Sequence, residues 1–87
     1  MSKENSNWMV QEQGLYRRFI FENFREAFSF MTQVALLAEK YNHHPDWSNS
    51  FKTVDIRYYT HDQDAITELD WQMSVRIDRC YASFCSS

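Results

Sequence analysis

Apolar and polar positions alternate along two stretches of this chain and step at helical spacing along two others. Leu15, Phe19 and Phe21 alternate with Tyr16, Arg18 and Ile20, and Gly14 marks a turn just before them. A period of two is the mark of a strand buried on one face, and it predicts a hairpin of about 8–12 and 15–22. The period then changes. Phe24, Ala27, Phe28, Met31, Val34, Ala35, Ala38 and Tyr41 recur at helical spacing, which predicts an amphipathic helix over about 24–41. Asn23 is a good N-cap, and Glu26 three residues on completes a capping box. Pro45 makes the stop firm, because it pushes His44 toward extended geometry. Alternation returns over residues 51–60, with Val54, Ile56 and Tyr58 facing one way and Phe51, Thr53, Asp55, Arg57 and Tyr59 the other. One apolar and one mixed face fit an antiparallel sheet covered on one side. A short strand near 46–48 pairs with this one through a turn at Asn49-Ser50. Thr67 and Asp70 form a second capping box. Behind it Ile66, Leu69, Met73, Ile77, Cys80 and Phe84 define a second helix of about 67–84.

The order strand, strand, helix, strand, strand, helix is most simply an α+β fold. It gives a four-stranded antiparallel sheet with two helices packed on one face. The 87 residues make one domain. Residues 1–7 are polar and expected to be disordered or loosely held, which leaves 8–87 as the folded unit. A chain this short buries only about 60% of the surface its unfolded form exposes. Seven Phe, five Tyr and three Trp supply a dense core, and the exposed surface expected around Tyr81 and Phe84 on the second helix suits oligomerisation.

Charge narrows the possible partners. The formal net charge is −3, and no cluster of Lys and Arg forms the stripe that phosphate binding needs, so direct nucleic-acid binding and polybasic membrane targeting are disfavoured. The longest apolar run, Val34 to Ala38, is far too short to span a bilayer. No apolar signal core follows the polar N-terminus. Cys80 and Cys85, five apart on a helix, match no zinc or thioredoxin spacing and suit an internal disulfide poorly. Reduced thiols and a cytoplasmic location are expected.

Candidate chemistry concentrates in the run Glu39-Lys40-Tyr41-Asn42-His43-His44-Pro45-Asp46-Trp47, followed by His61-Asp62 and Asp70. All three histidines lie there, and histidine is the side chain that changes charge between pH 5 and 8. Three readings stand. His43, His44 and His61 can serve as acid and base on a bound small molecule. They can bind a metal with a carboxylate such as Asp62, although adjacent residues point apart and do not favour chelation. They can also be structural, satisfied near a helix C-terminus where a cation complements the dipole. Glu39, four residues before His43, can orient an imidazole or be a solvated helix residue. Asp70 is explained by its capping box alone, Asp62 by a turn. Trp47 can stack on a flat heterocycle or belong to the core.

At these residues the chain resembles the pterin-4a-carbinolamine dehydratases. The family mark is an acidic residue, three residues, His-His-Pro, an aromatic, a third His and then Asp. Here it reads Glu39, His43-His44-Pro45, Trp47 and Phe51, Thr60-His61-Asp62 and Asp70, with Phe19, Phe21, Phe24, Ala27, Phe28 and Phe30-Met31 upstream. The similarity covers roughly residues 8–80. It implies the α+β fold above, with three helices in the family. The implied reaction is dehydration of a 4a-hydroxytetrahydropterin to the quinonoid dihydropterin, which recycles the cofactor of aromatic amino acid hydroxylases. No metal and no bound cofactor are implied. By the resemblance, His43, His44 and His61 line the pterin pocket and move protons. Glu39, Asn42, Pro45, Trp47, Asp62 and Asp70 support the set or the substrate. The family also implies a homodimer or homotetramer, and some members act as dimerisation partners of a transcription factor, so a non-catalytic oligomerisation or cofactor module on the same fold is the alternative. The chain departs from the family in three ways. Gln63-Asp64-Ala65-Ile66 replaces a Gly-rich turn after the third His. Asn42 stands where many members carry Asp. Only Met1–Asn7 precedes Trp8, where members usually begin with an extra helix.

Overall fold

The computed structural model describes residues 6–85, and the expectation for residues 1–5 lies outside them. Strand β1 (Met9–Gln11) and strand β2 (Gly14–Ile20) lead into helix α1 (Phe24–Tyr41). Strands β3 (Asp46–Ser50) and β4 (Thr53–Tyr58) follow, and helix α2 (Glu68–Cys85) ends the fold. The strands form one antiparallel sheet in the order β1-β2-β4-β3. This is the expected α+β architecture.

Side chains alternate across the sheet, so one face of β2 and β4 is apolar and fully buried. Leu15, Phe19, Val54, Ile56 and Tyr58 pack against Ala27, Phe30 and Val34 of α1 and Met73 and Ile77 of α2. The rings of Phe19 and Phe30 lie 4.8 Å apart. Trp8, just before β1, is drawn in by a hydrogen bond from its Nε1 to Asp78 Oδ1, which also accepts from Arg17 Nη1 at 2.7 Å. A charged residue on the covered face is thereby satisfied.

Tyr81 and Phe84 correct one expectation. Both are half-buried rather than exposed. Tyr81 meets the edges of Phe19 and Phe21, and its hydroxyl donates to the Ile20 carbonyl. Phe84 meets Phe21. They continue the stripe that starts at Ile77, four and seven residues on, and so face the core. The exposed large apolar residues of the helices are Phe24, Phe28 and Leu36 of α1. Cys80 is a free, half-buried thiol whose pKa is raised by burial.

Caps and turns set the element ends. Asn23 accepts from the Glu26 amide at 2.9 Å, and Glu26 reaches back to the Glu22 amide. At the other end of α1, Asn42 takes a left-handed conformation (φ 51°, ψ 45°), and the His43 amide donates back to Ala38. The β3–β4 turn sits at Phe51-Lys52, not at the expected Asn49-Ser50, which pair with Val54 and Thr53 inside the ladder. The Asn49 side chain donates to the carbonyls of Phe51 and Thr53 and so holds Phe51 at φ 53°. Its polar character serves the turn from within the strand. After β4, a Thr60–Ala65 bridge closes a tight turn over 61–64. No glycine is needed there, because Asp64 adopts the left-handed conformation that Asp tolerates and accepts a hydrogen bond from the Tyr59 hydroxyl.

Candidate active site

The first turn of α2 places a carboxylate in the core. Asp70 is fully buried, and burial of a charge requires partners. Its Oδ2 accepts from the Thr67 backbone amide and from the Thr60 hydroxyl, each at 2.8 Å. Its Oδ1 lies 2.5 Å from Nε2 of His43. The Thr67 hydroxyl does not close the capping box on the Asp70 amide; it lies 2.7 Å from the Thr60 hydroxyl instead. Asp70 therefore does more than cap.

His43 reaches this carboxylate because the left-handed Asn42 swings the chain off α1 toward α2. Its side chain is 11% exposed. The ring lies over Tyr58, with centroids 5.1 Å apart, and the Tyr58 hydroxyl donates to the His43 carbonyl. Burial, and then the charge of Asp70, push the Tyr58 phenol far above its ordinary pKa. It stays a proton donor.

The other two histidines are placed differently. His44 is 54% exposed and pairs through Nε2 with Glu39 at 2.6 Å. Glu39 thus orients the second imidazole of the pair, not His43 four residues on. His61 stands on the exposed turn after β4. Its Nε2 is 3.7 Å from Asp46 Oδ2 and its ring meets the edge of Tyr59. Each imidazole thus has its own carboxylate, and His61 shares no partner with His43. Trp47 is half-buried on β3 against the core, and Pro45 is half-buried beside it. Asn42 is the exposed helix cap, and Asp62 is exposed in the 61–64 turn. Among the described residues, no three His, Cys, Asp and Glu side chains converge as metal ligands do.

A cleft of about 230 Å³ opens along β2, β4 and β3, lined by Tyr16, Asp46, Trp47, Ser48, Asp55, Ile56 and Arg57. Asp46 joins it to His61. The Arg18 guanidinium, and then the Tyr16 hydroxyl, hold the Asp55 carboxyl of this cleft below the usual carboxylate range. The hydrogen bond to Asp55 raises the Tyr16 phenol in return.

Sequence reasoning missed Asp46, Tyr58, Thr60 and Thr67 as parts of the site. Asp46 carries no signal of its own beside Pro45, Tyr58 is one of an apolar alternation, and Thr67 reads as a cap. Thr60 had a signal, since it precedes His61 in the quoted motif.

Comparison with known proteins identifies the family. A protein of Sinorhizobium fredii that carries the provisional name pterin-4-alpha-carbinolamine dehydratase is 48% identical over 77 residues, which cover 86% of this chain and 73% of that one. A crystal structure of a transcriptional coactivator/pterin dehydratase from Brucella melitensis superposes with a TM-score of 0.82 at 38% identity, over 86% of this chain and 82% of that one. A pterin dehydratase-like protein described as a RuBisCO assembly factor in the alpha-carboxysome shares the fold, with a TM-score of 0.76 at 20% identity over 93% of this chain and 96% of that one. The family model for pterin 4 alpha carbinolamine dehydratase matches residues 1–80, and the chain belongs to that family.

Proposed function

We propose that this protein dehydrates a 4a-hydroxytetrahydropterin to the quinonoid dihydropterin and water by histidine acid–base catalysis, and so recycles the cofactor of aromatic amino acid hydroxylases. The observation that carries the reading is the pairing of the largely buried His43 with the fully buried Asp70. A carboxylate at Nε2 holds the proton on that nitrogen, which leaves Nδ1 as the nitrogen able to exchange a proton with a ligand. In the reaction the C4a–O bond breaks, one imidazole delivers a proton to the departing hydroxyl, and another accepts a proton from a ring nitrogen. The sum is loss of water with no change of oxidation state. His43, His44 and His61 are the proposed proton carriers. The carboxylates Asp70, Glu39 and Asp46 each stand beside one of these imidazoles, and proton transfer by a positioned side chain contributes about 10²–10⁴-fold. Trp47, Pro45, Asn42 and Asp62 frame the substrate in this reading. It calls on neither metal nor bound cofactor.

A second reading rests on the exposed Phe24, Phe28 and Leu36 of α1: an oligomerisation or transcription-cofactor module, acting as a homodimer or homotetramer. The two readings part in one assay. Dehydration of 4a-hydroxytetrahydropterin, generated in situ, is followed for the wild type and for His43→Ala and His61→Ala, with folding checked by circular dichroism. Fast wild-type turnover lost in folded variants supports catalysis. A wild type no faster than the uncatalysed reaction overturns it and leaves the module.

A further inference from the structure

We propose that Thr60 is a positioning residue that ties the turn carrying His61 to the carboxylate that holds His43. Its backbone and its side chain serve different halves of the site. The Thr60 amide donates to the Ala65 carbonyl, and the Thr60 carbonyl accepts from the amides of Ala65 and Gln63. These bonds close the 61–64 turn on which His61 stands. The Thr60 hydroxyl donates to Asp70 Oδ2 at 2.8 Å.

The direction of the hydroxyl chain follows from counting protons. A carboxylate only accepts, and a hydroxyl has one proton and two lone pairs. Thr60 commits its proton to Asp70, so Thr67, 2.7 Å away, must donate to Thr60. The order is Thr67, Thr60, Asp70. With the Thr67 amide as second donor, Oδ2 is fixed by two bonds, and that fixes which way Oδ1 faces. It faces Nε2 of His43. Thr60 is β-branched, which restricts its χ1 and favours keeping the hydroxyl in this place. The groups around His43 are Asp70 from α2 and Tyr58 from β4, with His44 and Glu39 beside it on its own segment; none of them replaces the second donor on Oδ2.

The catalytic half of this inference rests on the proposed acid–base reading; the geometric half does not. Thr60→Val keeps size and branching and deletes the hydroxyl, Thr60→Ser keeps the hydroxyl, and Thr67→Val removes the donor upstream while leaving the Thr67 amide. Two readouts are needed: steady-state dehydration, and the ¹H NMR resonance of the His43 Nε2–H proton with its exchange rate. A hydrogen bond to a charged group sets the scale, so Thr60→Val should lower kcat roughly ten- to a hundredfold while KM stays within about twofold. The Nε2–H resonance should shift and exchange faster. Thr60→Ser should recover to within about threefold of wild type, and Thr67→Val should show a smaller loss in the same direction. The proposal fails if Thr60→Val keeps both the rate and the resonance, or if Thr60→Ser loses as much as Thr60→Val. Should Thr60→Val not fold, Thr67→Val with the NMR readout decides: an unmoved resonance overturns the relay. A wild type without turnover removes the dehydratase reading, and the NMR arm still decides Thr60.

Discussion

Replacing Asp70 by Asn tests the site with one atom. The carboxylate accepts three donors: His43 at Oδ1, and the Thr60 hydroxyl and the Thr67 amide at Oδ2. In Asp70→Asn one of those oxygens becomes an NH₂. Placed at Oδ2, it would face two donors; placed at Oδ1, it faces one. The amide nitrogen therefore goes to His43, and the imidazole answers by presenting a lone pair at Nε2 and carrying its proton on Nδ1. Exchanging a charge-assisted hydrogen bond for a neutral one should cost about 1–2 kcal/mol of stability. On the proposed acid–base reading the kinetic cost is larger, because Nδ1, the nitrogen left to exchange a proton, can no longer accept one. General acid–base catalysis is worth about 10²–10⁴-fold, and the corresponding exchange in a Ser-His-Asp triad costs about 10⁴ in kcat through the wrong tautomer. We expect kcat to fall by about 10²–10⁴ in a protein that still folds. Asp70→Ala is the control. It strands all three donors and should cost about 3–5 kcal/mol, a large share of the roughly 5–15 kcal/mol that holds a domain together. Stopped-flow dehydration and urea unfolding measure the two effects. A folded Asp70→Asn with kcat within about threefold of wild type would refute the assignment of the imidazole protons.

Three further outcomes follow from the scaffold. Gly14 sits at φ 137°, and an added Cβ would lie 2.7 Å from the Tyr58 carbonyl oxygen and 2.9 Å from Arg57 Cγ; Gly14→Ala should lose about 1–3 kcal/mol in urea unfolding, and an unchanged midpoint would mean the strand start relaxes freely. Phe30 is fully buried between Phe19 and Phe21, so Phe30→Ala should cost about 3–5 kcal/mol in the same experiment, with a value under about 1 kcal/mol counting against the packing described. Asp55 is held below the ordinary carboxylate range by Arg18 and Tyr16, so its contribution is complete above about pH 4 and is lost as pH falls further. Thermal melts of wild type and Asp55→Asn should therefore differ at neutral pH and converge in acid; a gap that stays constant down to pH 3 would show that the charge is not its source.

The elements were legible because each level of the sequence agreed. The apolar steps and the Asn23 cap placed α1 where it lies, and the stripe of α2 was shifted by only one residue. The β3–β4 turn was misplaced because Asn49 looks like a turn residue and acts as one, but through its side chain and two positions downstream. The residue that turns is Phe51, which carries no turn signal. The histidine region shows a deeper limit. Spacing suggested Glu39 for His43, since helical neighbours four apart share a face. That rule ends where the helix ends. Asn42 is left-handed, His43 turns to a carboxylate 27 positions away, and Glu39 is left to His44. Two identical neighbours in sequence thus become unlike groups: one largely buried imidazole on a fully buried acid, one exposed imidazole on an exposed acid. The cap that divides them is set by its residue type. Asn enters the left-handed region more readily than most residues, and Asn42 does so here. The different surroundings of the two histidines are thus a consequence of where α1 stops.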